Sequence, residues 1–411
     1  MRAAPRAPPY VLPRQRPRLI AHDRIAFATV HDVVLIGAGP VGATLALAIA
    51  GQGLDVVALD ARASGEKPRG DRSLALSHGS RLILERVGVW NALARVERAV
   101  TPITSIDISQ AGGFGMTRLH AADHGIEALG YVVSYAALQD ALDAGLARAG
   151  VVVRFDTQAT GVTGSAQRAI VKLSDTSTLE TRLAVVADGA GTTVAGIRRS
   201  RHDYGQVALI ASVWLEMPQV GIAYERFTDE GPMALLPEGD HHGLVWTMRP
   251  HEAEAMLTLD ERAFLSALSR RFGTRVTGFT RVASRRAFPL AQERASPIVS
   301  TRSVVIGNAA QQLHPVAGQG FNLGLRDAWE LAETILDSER EALGAPGMLA
   351  RHARRRSRDR EAGIAFTHGL IRAFGNDRAL VRWPRGLALA LLDAIPPAKR
   401  AFTRAMLFGL R

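Results

Sequence analysis

The chain has 411 residues, of which 47% are hydrophobic and 22% are charged, a composition typical of a globular protein with room for two domains and a terminal appendage. It contains no cysteine, which excludes disulfide bonds, thiolate catalysis, cysteine-ligated zinc and iron–sulfur clusters. The formal net charge of +11 belongs to the two ends: residues 1–31 carry +5 and residues 351–411 carry +10, whereas residues 32–350 carry −4. Because the basic residues lie at the ends of an acidic body, the charge argues against nucleic-acid binding. It favours binding of the ends to an anionic membrane surface or to an acidic partner.

Residues 1–31 are rich in Arg, Pro and Ala and lack the continuous apolar core of a secretory signal. A transit peptide would also be basic and poor in acidic residues, but the prolines are incompatible with its amphipathic helix. We therefore predict a disordered extension, or residues upstream of the true start of the mature protein.

Residues 32–42 predict a buried strand, a glycine turn and the start of a helix. Gly37 allows the tight turn, Gly39 lets the backbone approach a pyrophosphate, and Gly42 lets helix and strand pack closely. A second strand ends at Asp60, 18 residues beyond Gly42, where a carboxylate can accept a hydrogen bond from a ribose 2′-hydroxyl. A glycine-rich turn without a ligand is the alternative, and the strand, helix and acidic residue in sequence favour dinucleotide binding.

The same segment contains an uncharged run, residues 33–54, that is long enough to cross a bilayer. Three glycines and Pro40 in its first part favour the strand–turn–helix interpretation, so we predict no transmembrane helix.

The remaining segments alternate between helical and extended patterns. Helices are predicted around residues 82–90, 138–149, 260–272 and 323–336, the last with Glu330 on its exposed face, and strands over 103–109, 151–155, 183–187 and 303–306. Residues 207–286 contain short alternating strands typical of a mostly antiparallel sheet. We predict a Rossmann-like α/β dinucleotide-binding domain (32–103, 127–200 and 285–345), an inserted β-rich substrate domain (104–126 and 201–284) and a C-terminal helical region (346–411).

Two further motifs follow in order: an acidic-glycine turn at Asp188-Gly189 after a buried strand, and a glycine-rich run over residues 307–327. Together with the first turn, this set resembles the class A flavoprotein aromatic hydroxylases. Residues 71–77, 227–237 and 307–327 are most similar to the ubiquinone-biosynthesis hydroxylases, the UbiH-type 2-polyprenyl-6-methoxyphenol hydroxylases.

The resemblance implies that the dinucleotide is FAD, bound by a domain of the class A hydroxylase type. Arg72 would lie along the FAD, Asp188 and Gly189 would serve FAD and NAD(P)H, and Asn308 would bind the ribitol. Glycines in residues 318–322 permit close backbone approach, and the following helix N-terminus would stabilise negative charge on a reduced flavin. The predicted cofactor-binding residues are Gly37, Gly39, Pro40, Gly42, Asp60, Ala61, Arg72, Asp188, Gly189, Asn308, Pro315, Gly318, Gln319, Gly320, Phe321 and Asn322.

Departures from the pattern of the wider class narrow the choice of subfamily. Asn308 replaces the usual Asp and Gln311 replaces a usual His, whereas Thr192 and Ala195 stand where Ser and Arg are expected after the Asp-Gly motif. The amide of Asn308 can still donate to and accept from ribitol hydroxyls. The departures after Asp188-Gly189 put an arginine contact there in doubt.

The implied activity is hydroxylation of the aromatic ring of a polyprenyl phenol, with NAD(P)H and O₂ as cosubstrates acting through a flavin C4a-hydroperoxide. A lipid reductase or dehydrogenase without oxygen insertion, and a flavin-bound non-catalytic member of a biosynthetic assembly, are the alternatives. His314 is the candidate catalytic base, with a structural histidine as the alternative. No spacing typical of a metal site occurs.

The C-terminal region carries an arginine cluster, which we define as Arg351, Arg354, Arg355, Arg356, Arg358 and Arg360. This cluster predicts either a solvated helix or an amphipathic element on an anionic membrane. The resemblance further implies a location at the inner face of the bacterial cytoplasmic membrane, contacts with other ubiquinone-biosynthesis proteins, and self-association.

Overall fold

A computed structural model describes residues 30–66, 72–189, 191–314, 318–374 and 379–409. The predicted extension over residues 1–31 lies outside them except for its last two residues. The helices are α1 Pro40–Ile49, α2 His78–Arg86, α3 Trp90–Ala94, α4 Tyr135–Arg148, α5 Pro250–Thr258, α6 Glu261–Phe272, α7 Gln319–Leu336, α8 Pro346–Phe374, α9 Ala379–Ala394 and α10 Pro396–Phe408. The strands are β1 His31–Ile36, β2 Val56–Leu59, β3 Ser73–Ser77, β4 Val100–Ile103, β5 Ser105–Gln110, β6 Met116–His120, β7 Gly130–Ser134, β8 Val152–Arg154, β9 Ala159–Gly164, β10 Ala169–Leu173, β11 Thr178–Val186, β12 Thr193–Val194, β13 Arg198–Leu215, β14 Ile222–Phe227, β15 Pro232–Glu238, β16 His241–Met248, β17 Phe279–Ser296, β18 Val299–Ser300, β19 Ser303–Val305 and β20 Gln311–Gln312.

A nine-stranded sheet carries the dinucleotide motifs. Strands β1, β2, β8, β11 and β19 run parallel, and β9 and β10 add an antiparallel extension. Successive β1 residues point to opposite faces, so Val33 and Leu35 pack with α1, α4 and α7, whereas Val34 and Ile36 pack with β9 and β10. Burial on both faces explains the continuous apolar pattern of this strand.

The parallel arrangement brings the predicted motifs to one edge. β1 pairs with β2 on one side and with β11 on the other, and β11 pairs with β19. The carboxyl ends of these strands therefore place Gly37, Asp60, Asp188 and Gly307 side by side, where ligands bind in open α/β sheets.

An eight-stranded sheet in the order β20-β17-β13-β16-β15-β14-β5-β6 forms the second layer, antiparallel except at β14–β5. One face packs on α5 and α6 around Trp246, Phe264 and Phe272. The predicted block of short strands over residues 207–286 corresponds to the second half of β13, to β14, β15 and β16, and to the start of β17, and α5 was not predicted.

A third, smaller sheet has three strands in the order β3-β7-β4. The predicted strand over 103–109 is wrong as a single element, because it divides at Thr104 into the end of β4 and β5, which belong to different sheets. Alternation along the chain cannot reveal this break, since both pieces have the same period.

The last helices pack back onto the body. α8 packs on α7, α9 on β6, and α10 on α2. The α/β fold with a C-terminal helical region is confirmed, and the domain boundaries given above stay a prediction. None of the helices in the described residues has the length and apolar character needed to span a membrane.

Candidate active site

The three glycines after β1 have two different roles: two allow close packing, and one faces a cavity. A Cβ on Gly37, whose φ is +98°, would lie 2.7 Å from the Asp188 backbone, and one on Gly42 would lie 2.0 Å from the Gly37 carbonyl oxygen. Gly37 therefore lets the first motif contact the second, and Gly42 lets α1 start close to the turn. A Cβ on Gly39 would meet no atom within 4 Å and would project into a cavity.

That cavity, here called the dinucleotide cavity, has a volume of about 970 Å³, within the range of cofactor sites. Of the predicted cofactor-binding residues, twelve line it: Gly37, Gly39, Pro40, Asp60, Ala61, Arg72, Asp188, Gly189, Asn308, Gly318, Gly320 and Phe321. Gly42, Gln319 and Asn322 do not line it, and Pro315 lies outside the described residues.

Asp60 both stabilises the glycine turn and lines the dinucleotide cavity. Its carboxylate accepts hydrogen bonds from the Ala38 and Arg62 backbone N–H groups, each at 3.0 Å. A carboxylate has further acceptor sites, so these two bonds leave room for the predicted ribose contact. Arg62, which is not among the predicted residues, also lines the cavity and pairs with Asp143 at 2.8 Å.

The acidic-glycine turn offers an unused acceptor. Asp188 Oδ2 accepts from the Thr192 N–H at 2.8 Å and from its hydroxyl at 2.6 Å, which explains why Thr can stand at this position. Asp188 Oδ1 is buried and has no hydrogen-bond partner among the described residues. Gly189, with φ +92°, leaves open space beside it. A buried acceptor beside an open backbone fits the hydroxyls of a dinucleotide.

The polar residues of the third motif have two different roles. Asn308 and Gln312 are exposed to the dinucleotide cavity, whereas Gln311 is buried and donates to Asp327 Oδ2 at 2.7 Å. The same carboxylate oxygen accepts from the Gly307 N–H at 3.1 Å. The residue that replaces the family's usual histidine therefore supports the turn from behind.

The glycine-rich loop is shorter than predicted, because α7 begins at Gln319 and not at Leu323. Gly318 has φ +59°, and the residues that follow form the first helical turn. Their free N–H groups and the helix dipole favour negative charge next to the cavity.

The Asn322 side chain is fully occupied by protein partners. Its oxygen accepts from the Ser77 N–H and the Ser80 hydroxyl, and its nitrogen donates to the Ala75 and Gly318 carbonyls. These four hydrogen bonds position β3 against α7, and a contact of Asn322 with the cofactor stays a prediction.

His314 lines the cavity, and its assignment as the catalytic base stays a prediction that its surroundings disfavour. The side chain is 1% exposed and contacts the Tyr204 ring edge-to-face at 5.4 Å. Burial lowers its pKa to about 4. A base with that pKa is poorly matched to a phenol, whose ordinary pKa is about 10.

The arginine cluster is not a uniform surface. Arg356 is completely buried and pairs with Asp327 at 2.7 Å, Asp359 at 2.9 Å and Glu330 at 3.3 Å. Arg360 is also buried and donates to Gln311 Oε1 at 2.8 Å. The expectation that Glu330 is exposed is wrong as well, because α8 covers it. These groups connect α8 to the third motif.

A second cavity, here called the apolar pocket, has a volume of about 110 Å³ and adjoins the first. The two share Ala75, Leu236, Val245 and Gly318 in their walls. The pocket is lined by apolar residues of β14, β15, β16 and α10, together with Glu225. Sequence reasoning missed this glutamate, although an acidic residue between Ala223 and Phe227 on one strand face was a readable signal.

Comparison with known proteins places this geometry in a family. The family model described as FAD binding domain matches residues 30–363. The chain belongs to the FAD-binding-domain family. The open space at Gly39 and the buried acceptor of Asp188 fit FAD, which is the cofactor of this enzyme.

Individual relatives agree with the family match. The chain is 33% identical over 389 residues to the ubiquinone hydroxylase UbiL of Rhodospirillum rubrum, covering 91% of this chain and 89% of that protein. It is 28% identical over 414 residues to the ubiquinone hydroxylase UbiM of Neisseria meningitidis, covering 96% and 89%. The crystal structure of p-nitrophenol 4-monooxygenase PnpA from Pseudomonas putida has the same fold, with a TM-score of 0.71 at 16% identity over 93% of this chain and 100% of that one. The chain is an FAD-dependent hydroxylase.

Proposed function

We propose that this enzyme hydroxylates the aromatic ring of a polyprenyl phenol in ubiquinone biosynthesis, with NAD(P)H and O₂ as cosubstrates. The observation that carries the proposal is the shared wall of the two cavities. One cavity has the size and polar groups for FAD, and the other is apolar and meets it at Gly318. An aromatic ring in the apolar pocket would lie next to the redox-active end of the cofactor. The ubiquinone hydroxylases among the relatives support the choice of substrate.

FAD supplies the redox and oxygen chemistry when it is bound. The chain's own residues bind and orient it: Asp60 and Asp188 offer acceptors, and Asn308 offers an amide. The first turn of α7 stabilises negative charge at the cavity wall. The apolar walls around Leu236 exclude water from the reacting ring.

Purified enzyme tests the proposal with a short-chain analogue, 2-farnesylphenol. We expect NAD(P)H and O₂ consumption coupled to a hydroxylated product detected by mass spectrometry. Reduction of the lipid without O₂ would indicate a reductase, and no turnover of any tested prenyl phenol by FAD-loaded enzyme would contradict the assignment.

A matched pair of glycine variants tests the FAD site. Gly39→Val should fold and lose FAD, because the new side chain has room in the protein but projects into the dinucleotide cavity. Gly347→Val is the control, since its Cβ also meets open space and the residue is exposed at the start of α8. FAD retention by Gly39→Val at the control's level would refute the site.

We further propose peripheral contact with the anionic inner face of the bacterial cytoplasmic membrane through α9 and α10. Trp383, Leu387 and Leu391 on α9 and Ile395 just after it are spaced four apart and are 45–70% exposed. Exposed arginines follow on α10 at positions 400 and 404. An apolar stripe beside basic groups is typical of interfacial helices. Contacts with other ubiquinone-biosynthesis proteins and self-association stay predictions.

Sedimentation with phosphatidylcholine–phosphatidylglycerol vesicles tests this surface. The variant Leu387→Ser/Leu391→Ser should lose binding. The variant Arg354→Glu/Arg355→Glu/Arg358→Glu is the comparison, and it leaves the buried Arg356 intact. If only the arginine variant loses binding, α8 and not α9 is the membrane contact.

A further inference from the structure

Glu225 occupies an unusual position in the apolar pocket. It lies on β14, paired with Ala234 on β15 and Ile108 on β5. Its own strand neighbours on that face, Ala223 and Phe227, are apolar. Among the described residues that line the pocket, Glu225 is the single ionisable one.

Within the described part of the chain, the Glu225 carboxyl has no partner that would explain its position. No hydrogen bond or ion pair joins it to any described residue, and it is half-buried, facing the pocket. The adjacent Arg226 is directed elsewhere, donating to the Arg271 carbonyl at 2.8 Å and the Ser109 hydroxyl at 3.2 Å. Burial among apolar neighbours raises the pKa of Glu225 to about 8, so the group is mostly a neutral acid at pH 7. A neutral carboxyl can both donate and accept a hydrogen bond.

The pocket around this group has a consistent shape. Gly318 and Gln319, at the start of α7, form one wall, and Met406 and Leu407 of α10 form another. Its volume of about 110 Å³ is on the order of the apolar cavities that bind one benzene ring. A ring here would have a cofactor-facing side and a side facing the C-terminal helices.

We propose that Glu225 binds the head group of the substrate, its carboxyl exchanging hydrogen bonds with a phenolic hydroxyl held beside the first turn of α7. This inference rests on the proposed function for the substrate class. A phenol hydroxyl needs one donor and one acceptor contact, and the neutral carboxyl of Glu225 supplies both. The same pocket would bind a ring without a hydroxyl less tightly, because the carboxyl would then lose its hydrogen-bond partner.

The experiment compares 2-farnesylphenol with its O-methyl ether, which has the same ring and tail but no hydroxyl proton. Dissociation constants come from the absorbance change of bound FAD on titration, and kcat and KM from product formation. The variants are Glu225→Leu, Glu225→Gln and, as a control, Glu216→Leu, an exposed glutamate just beyond β13.

For wild type we expect tighter binding of the phenol than of the ether. Glu225→Leu should weaken phenol binding and raise KM by about 10- to 100-fold, and should abolish the preference over the ether. Glu225→Gln, which keeps a donor and an acceptor, should stay within about fivefold of wild type. Glu216→Leu should match wild type.

An unchanged phenol-to-ether ratio in Glu225→Leu, at full FAD content, would overturn the proposal. If that variant does not retain FAD, equal binding of phenol and ether by wild type would overturn it equally. Phenol binding that depends on Glu225, without any hydroxylated product from wild type, would refute the proposed function and leave this inference standing.

Discussion

Replacing the buried Arg356 tests whether the charges between α7 and α8 support the flavin site. Arg356 is 0% exposed and makes close ion pairs with Asp327, Glu330 and Asp359. Burial alone would lower its pKa, but the three carboxylates outweigh that effect and raise it. In Arg356→Met a similar volume remains, and the carboxylates lose their shared counter-ion.

The expected cost follows from the desolvation of those carboxylates. Removing one partner of a buried pair costs about 3–5 kcal/mol, because the remaining charge is left uncompensated. Asp359 still has an ion pair with Arg326 at 2.8 Å. The loss of the counter-ion therefore affects Asp327 most. Arg358→Met is the matched control on the exposed side of the same helix and should change stability by less than about 0.5 kcal/mol.

Denaturant unfolding of both variants, with and without added FAD, provides the measurement. Asp327 also accepts from the Gly307 N–H, so Arg356→Met should release FAD more readily than Arg358→Met. The double variant Arg356→Met/Asp327→Asn should recover part of the stability, since it removes the uncompensated charge. If Arg356→Met is within about 1 kcal/mol of the control, the buried pairs do not have the assigned role.

The remaining predictions concern pH and the loop before α7. His352 is buried and its pKa is lowered to about 4, mainly by burial, so the unfolded chain binds more protons between pH 6.5 and 4 and acidification destabilises the fold. Between pH 7.5 and pH 5 the unfolding free energy of wild type should therefore fall by about 2 kcal/mol more than that of His352→Leu. Equal decreases in the two proteins would refute this. Gly318→Ala should cost about 1–2 kcal/mol and weaken FAD retention, because φ is +59° and the new Cβ would lie 3.1 Å from Ala75 Cβ. Thermal unfolding and flavin absorbance measure both effects, and a wild-type Tm would contradict the strain argument.

Features that depend on local chain geometry were predictable. The strand–turn–helix around Gly37, the acidic turn at Asp188 and the helical C-terminal region follow from glycine conformations and hydrophobic periodicity within short windows. Their order along the chain was specific enough to indicate FAD, and the family match confirms that cofactor.

Features that depend on which surfaces meet were not predictable. Arg356 and Arg358 lie two residues apart in an arginine-rich helix, yet one is buried between carboxylates and the other is exposed. Asn322 belongs to the family motif but uses its whole amide on β3, α2 and the Gly318 carbonyl.

The apolar pocket is the clearest case of a feature decided by tertiary structure. Glu225 and Gly318 are far apart in sequence and line one cavity only because the antiparallel sheet packs against the start of α7. Local sequence determines how each segment is shaped and which face is apolar. The environment of a charge, and therefore its pKa and its role, depends on the desolvation and partners that distant segments supply.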